Sequence, residues 1–285
     1  MSLSANAGIL TTRRRSAIPG LALTLAVTAV YLALIVVIPL GALFAKASML
    51  GLGGILEVAM QPRVAAALRV SFGMALAAAT LSALVGAPIA WALTRYRFPG
   101  RRLFDAAIDL PFALPTAVAG ISLSTLYAQN GWFGAPLEAL GLKVAFTRAG
   151  ILVAMVFVGF PFVVRTLQPL IEELEVELEE VSATLGASRF ATLLRVVAPQ
   201  LLPGVLAGIA LAFARAVGEY GSVIFIAGNL IGVTEIAPLL IVEKLEEYDY
   251  AGATAIAAIM LVISFVMLFA INRFQTLAGA RFGHV

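Results

Sequence analysis

The chain has 285 residues, 61% of them hydrophobic and 12% charged, with a formal net charge of +3 and a mean hydropathy of +1.02. Soluble domains run at about half apolar and about a quarter charged, so this composition excludes an ordinary water-soluble globule and points into a bilayer. Cysteine is absent and the sole histidine is His284, which excludes disulfides and thiolate metal sites and argues against histidine-based catalysis.

Arg13, Arg14 and Arg15 precede an uncharged run from Ser16 to Ala45. Ala45-Lys46-Ala47 looks like a signal cleavage site, but a signal core spans about 7–15 residues and this run is about twice that. It is therefore read as a retained first span, Ile18 to Phe44. A glycine-rich connection (Gly51, Gly53, Gly54) and a short amphipathic stretch to Gln61 follow. The second span lies within Val70 to Thr94, bounded by Arg69 and Arg95, and Pro99-Gly100 turns the chain. A third span begins near Asp109 and contains Pro111, Pro115 and Gly120. These breaks fit either simple helix packing or opened backbone beside a translocation path. Residues 129–148 read as a loop. The fourth span, Ala149 to Ile171, is interrupted by Pro161 and Arg165, and the fifth runs from Pro203-Gly204 to Ala227. Residues 228–250 are mostly acidic, with a short helix expected at the surface, and the sixth span is Ala251 to Asn272. Each span approaches the roughly 20 residues that cross the hydrocarbon core.

Cytoplasmic loops carry the excess of Lys and Arg. Arg13, Arg14, Arg15, Arg95, Arg97, Arg101, Arg102, Arg165, Arg189, Arg195, Arg273 and Arg281 fall on one side, against Lys46, Arg63, Lys143, Arg148 and Lys244 on the other. The expectation is an all-α polytopic membrane protein of six spans with both termini cytoplasmic. It divides into an N-terminal part (1–64), a core (65–272) and a tail (273–285).

The long polar passage between spans four and five, Glu172 to Pro203, then faces the cytoplasm. Leu174, Leu178, Val181 and Leu185 share one helical face, with glutamates around the rest. Gly186 is a helix stop and Ser188 a cap for a second helix presenting Phe190, Leu193, Leu194 and Val197. Pro199 and Pro203 mark the start of span five. Two short helices with an apolar ridge suit a helix-in-groove contact, and a solvated loop packed on its own spans is the plainer alternative.

In span five, Arg215 lies about 12 residues past Pro203, roughly 18 Å into a core of about 30 Å. A charge there costs at least about 2.5–3.5 kcal/mol, so it faces the bundle interior, and Glu219 at i+4 can pair with it. The pair either fixes helix packing or places positive potential on an anion path, with Gly218 and Gly221 beside it.

Glu180-Val181-Ser182-x-x-x-Gly186-Ala187, with Pro199 thirteen residues after Gly186, resembles the EAA loop of type I ATP-binding-cassette importer permeases. Val181-Ser182 stand where that pattern has Ala-Ala. The run Phe213–Asn229 resembles the fifth span of oxyanion permeases, and Asp109–Gly134 and Pro161–Glu175 resemble in particular the T-type permease subunits of bacterial sulfate/thiosulfate importers. The likeness covers residues 65 to 272. It implies a permease of the bacterial cytoplasmic (inner) membrane with no catalytic residue and no cofactor of its own. Its partners would be a cytoplasmic ATPase dimer, a homologous W-type permease as heterodimer, an extracytoplasmic sulfate/thiosulfate-binding protein, and membrane lipid, but no nucleic acid. Glu180, Val181, Ser182, Gly186, Ala187 and Pro199 would couple to the ATPase. The chain lacks G-x-x-x-x-G-K-[ST], so ATP would be hydrolysed by a separate polypeptide. A molybdate or tungstate permease is the near alternative. A membrane enzyme using Glu172–Glu180 and a secondary carrier without ATPase are the distant ones.

Overall fold

The computed structural model describes residues 21–282, and among these every regular element is a helix. Arg13, Arg14, Arg15, Ile18 and His284 lie outside the described residues. The chain divides into two compact units between Lys46 and Ala47. Helix α1 (Leu23–Ser48) supplies the first as far as Lys46, with a wide π-turn at Ala33–Val37 immediately before Ile38-Pro39.

The second unit contains α2 (Gly51–Met60), α3 (Pro62–Arg95), α4 (Arg101–Ile108), α5 (Leu110–Ala113), α6 (Thr116–Tyr127) and α7 (Gly134–Ala139). It continues with α8 (Arg148–Glu173), α9 (Val176–Thr184), α10 (Arg189–Val217), α11 (Val223–Ile226), α12 (Ala237–Glu246) and α13 (Tyr250–Phe282). Among the described residues five helices, α1, α3, α8, α10 and α13, are long and apolar enough to cross a bilayer.

The expected third span is not one helix. It is the chain α4–α5–α6, broken at Asp109 and again at Leu114, whose backbone is extended (φ −85°, ψ 135°). Pro111 and Pro115 stand four apart, so the second ring would collide with the first proline's carbonyl, and a residue before proline is itself driven out of the helical region. Pro161, by contrast, lies inside an unbroken α8 and does not interrupt it. Pro62 at the first helical turn starts α3 eight residues before the expected boundary at Val70, placing Arg63 and Arg69 on the helix. Residues 129–148 include α7 as well as loop, and α13 runs on past Asn272.

The core is built where α3, α8 and α10 pack together, with α13 against α10 and α12. Ala75, Ala78, Ala79, Ile151, Met155, Val163, Val164, Leu167, Ala212, Phe213 and Ala216 fill it. Small residues set the spacing: a Cβ on Gly86 would sit 3.1 Å from Val163, and one on Gly159 would sit 3.4 Å from Ala212. Membrane helices associate largely through such close packing.

Candidate functional site

The hairpin between α8 and α10 begins later than the periodicity suggests. α8 continues through Glu172 and Glu173, the chain is extended at Leu174 and Glu175, and α9 starts at Val176. Arg95, from the last turn of α3, explains the break. Its Nη2 donates to the Leu174 carbonyl at 2.9 Å and meets Glu179 at 3.4 Å, while its guanidinium lies over Trp91 at 5.4 Å. Gly186 closes α9 in the left-handed region (φ +83°), where a side chain would be strained. The Ser188 hydroxyl accepts from Ala191 N and caps α10. Ser182 is buried, its hydroxyl 2.7 Å from that of Thr192, so one hydrogen bond ties the two helices of the hairpin together.

Pro199 and Pro203 do not separate the hairpin from span five. Both lie inside α10, which is continuous from Arg189 to Val217. A π-turn at Leu193–Val197 ends just before Ala198-Pro199, as the α1 π-turn ends just before Ile38-Pro39. Proline has no N–H to donate and its ring crowds the carbonyl four residues back; a wider turn accommodates both defects. The outer face of the hairpin is apolar and open. Leu185 is 83% and Phe190 70% exposed, with Leu178, Val181 and Leu194 also exposed, and Glu180, Gly186 and Ala187 at the surface beside them. A cleft of about 390 Å³ runs between the hairpin and the end of α3, lined by Trp91, Tyr96, Ala183, Ala187 and Thr192. The glutamates from Glu172 to Glu180 do not converge, and among the described residues no metal-holding cluster occurs.

At the other end of α10 the Arg215–Glu219 pair forms, at 2.6 Å. It does not form within a helix. α10 ends at Val217, ten residues short of the expected Ala227, and Glu219 lies in the turn beyond Gly218. Glu219 is 1% exposed and accepts from Arg215 Nη1 and from both the amide and the hydroxyl of Ser222, each of the latter at 2.9 Å. Three donors satisfy a buried carboxylate that would otherwise be very costly. Ser222 in turn lies against Gly120 of α6, where any Cβ would run into its carbonyl, and Gly221 leaves room only for Thr116. Arg215, Glu219, Gly221 and Gly120 are thus brought to one place, with Pro115 capping α6 alongside. Gly218 faces open space. Pro111 lies elsewhere, in an apolar groove with Phe104, Ile108, Phe157 and Phe160.

Two further arginine clusters escaped the sequence reading. Arg63 grips Glu235 with two nitrogens, Nη2 at 2.6 Å and Nε at 3.0 Å, and also pairs with Glu243. Glu235 is 1% exposed, and the Arg63 hydrogen bond holds the Glu243 carboxyl below its ordinary range. Ala237 N donates to the Ser71 hydroxyl at 2.7 Å, and Leu239 and Leu240 are buried, so α12 is pressed into the bundle and does not lie on its surface. The second cluster is Arg165, counted by sequence as a loop charge. It reaches Asp109 at 2.6 Å and Asp105 at 2.7 Å, fastening α4 and α5 to α8. Gln168 Nε2 also donates to Asp105 Oδ1, at 3.1 Å. The one sequence signal was the pair of aspartates four apart, preceding an arginine in an apolar run.

Residues 82–284 match the family described as binding-protein-dependent transport system inner membrane component. The chain is 58% identical over 248 residues to the sulfate transport system permease protein CysT of Synechococcus elongatus, covering 87% of this chain and 89% of that protein. It is 46% identical over 267 residues to the protein of that name from Escherichia coli K12, covering 94% and 96%. A chain of a bacterial alginate ABC transporter, solved in complex with an alginate pentasaccharide-bound periplasmic protein, superposes with a TM-score of 0.73 over 93% of this chain and 95% of its own, at 16% identity. A chain of the MetNI methionine ABC transporter does so with a TM-score of 0.59, over 77% and 97%. These last two are likenesses of fold.

Proposed function

The chain belongs to the binding-protein-dependent transport system inner membrane component family, and from that premise we propose that it is the membrane permease subunit of an ATP-driven sulfate importer. The hairpin formed by α9 and the start of α10 is the docking element for a cytoplasmic ATPase dimer. The observation that carries this reading is the apolar ridge of Val181, Leu185, Phe190 and Leu194, exposed on a segment of this chain rich in glutamate. An apolar ridge set on a helix pair is the shape that a groove on a soluble partner accepts. Glu180, Val181, Gly186 and Ala187 form the contact surface. Ser182 and Pro199 act from inside, the first by bonding Thr192 and the second by its place in the wide turn of α10.

The broken α4–α5–α6 chain serves as the sixth crossing, which leaves both termini on the cytoplasmic side of a bacterial inner membrane. Backbone irregular at membrane depth is tolerated where it packs on protein or lines a cavity. A homologous W-type permease completes the path as a heterodimer, and an extracytoplasmic binding protein delivers sulfate or thiosulfate. Arg215, Gly218, Glu219 and Gly221 flank the anion path, where Glu219 moderates the pull of Arg215. ATP binding brings the two hairpins together and rocks the spans from inward-open to outward-open, so this chain performs no covalent step itself.

Uptake of labelled sulfate by cells lacking this chain, with and without its restoration, tests the reading. Restored uptake that thiosulfate competes away supports it. Restored molybdate uptake with no sulfate uptake would replace the substrate. A photo-crosslinker at Ala187 or Leu185 should capture an ATP-hydrolysing protein, and its failure to do so would remove the docking role.

A further inference from the structure

Arg69 and Arg148 stand 79 positions apart in the chain yet line one cleft of about 300 Å³, together with Ala66, Val70, Met74 and Gly232. Arg69 Nε donates to the Ala65 carbonyl of its own helix at 3.1 Å, and Arg148 Nε donates to the Val233 carbonyl at 2.8 Å. These bonds orient each guanidinium and spend only the Nε hydrogen. Among the described residues neither arginine has a carboxylate partner. Both guanidiniums are open to solvent with no carboxylate to neutralise them, whereas the half-buried Arg63, Arg95, Arg165 and Arg215 each meet one. Glu235, three residues from Gly232, does not offset the cleft because Arg63 already neutralises it. Arg148 is also the first residue of a 26-residue helix, whose N-terminal dipole adds to the positive potential.

We infer that this cleft is an anion-receiving site, at which a small divalent oxyanion bridges the guanidiniums of Arg69 and Arg148 before it reaches Arg215. Guanidinium forks match the paired oxygens of such an ion. Arg69 lies near the start of α3 and Arg148 at the start of α8, at the ends of those helices opposite the docking hairpin. The inference rests on the importer reading above, which makes that end the one where the substrate arrives. Arg215 is the less suitable first contact, since Glu219 already holds it.

The test uses the assembled importer in proteoliposomes, with the binding protein supplied, and Arg69→Gln, Arg148→Gln, the double variant and the double lysine variant of this chain. Labelled sulfate uptake, ATP hydrolysis stimulated by the binding protein, and capture of the binding protein are measured in parallel, and molybdate is run as a second substrate. The double glutamine variant should lose uptake by about tenfold or more, as expected when a focusing charge is removed. It should keep binding-protein capture and stimulated hydrolysis, and the lysine pair should recover part of the loss. Wild-type uptake should fall with ionic strength and the double glutamine variant's should not. Uptake by the double variant within twofold of wild type would overturn the site, and so would a loss matched by equal loss of binding-protein capture, which would make the cleft a protein-docking surface. A wild type that carries molybdate alone would overturn the sulfate assignment, while the molybdate data would still decide the cleft.

Discussion

Two acidic connections flank α10, and they fold in opposite directions. The one before it, Glu172 to Ser188, turns outward and leaves Val181 and Leu185 exposed, with Phe190 exposed beside them at the start of α10. The one after it, Gly218 to Asp249, turns inward and buries Glu219, Thr234, Glu235, Ile236 and Leu240. Acidity does not separate them. What differs is the supply of cations from elsewhere in the chain. Arg215 and Arg63 reach the second connection and neutralise its deepest carboxylates, so it can leave water. The first receives only Arg95, whose contact with half-buried Glu179 is 3.4 Å long. An acidic segment without arginines to meet it stays in solvent, and its apolar residues become available to another molecule.

The largest expected effect comes from breaking the inward connection. Glu219→Ala leaves Arg215 and the Ser222 amide without their acceptor, and breaking a buried pair costs about 3–5 kcal/mol. Because Arg215 is one-third exposed, the lower end of that range is expected, read as a fall in the melting temperature of the purified complex. An unchanged melting temperature would mean that Glu219 does not hold the turn. On the outward side, Leu185→Asp and Phe190→Asp should each weaken ATPase capture by about 2 kcal/mol or more, the size of an interface hot spot. The chain's own melting temperature should stay put; a drop in it would show that these residues pack within the chain.

Smaller again is Glu179→Gln. Half-exposed ion pairs contribute about 0–1 kcal/mol, so it should barely alter stability, and a loss of several kcal/mol would erase the contrast between the two connections. The last test concerns the latch of Arg165 to Asp105 and Asp109. Arg165→Gln should raise the hydrogen exchange of residues 101–113, and unchanged exchange there would show that the latch does not hold α4 and α5 to α8.

Residues that act on near neighbours were legible in the sequence. Gly186 and Ser188 announce a stop and a cap within three positions, and both act so in the structure. The spacing of Arg215 and Glu219 announced their contact, though not that the helix ends between them. Proline was ambiguous for a physical reason: a lone proline can be absorbed by a wide turn, as at Pro199, whereas Pro111 and Pro115 remove adjacent supports of one turn and end the helix. Arg63 and Glu235 are 172 residues apart, and no local pattern connects them. Without that pairing, α12 reads as a surface helix.

Gly120 and Gly221 leave α6 touching the turn after α10 with almost no side chain between them. Closely packed interiors are nearly incompressible and pass displacement on without absorbing it. A tilt of α10 must therefore appear in α6 as well, with no cushion to take up the motion. α10 is 29 residues long, about 43 Å at 1.5 Å per residue, and its near end is the hairpin proposed to dock. The chain thus contains one long helix whose near end presents exposed apolar side chains and whose far tip is wedged against the most broken of its helices.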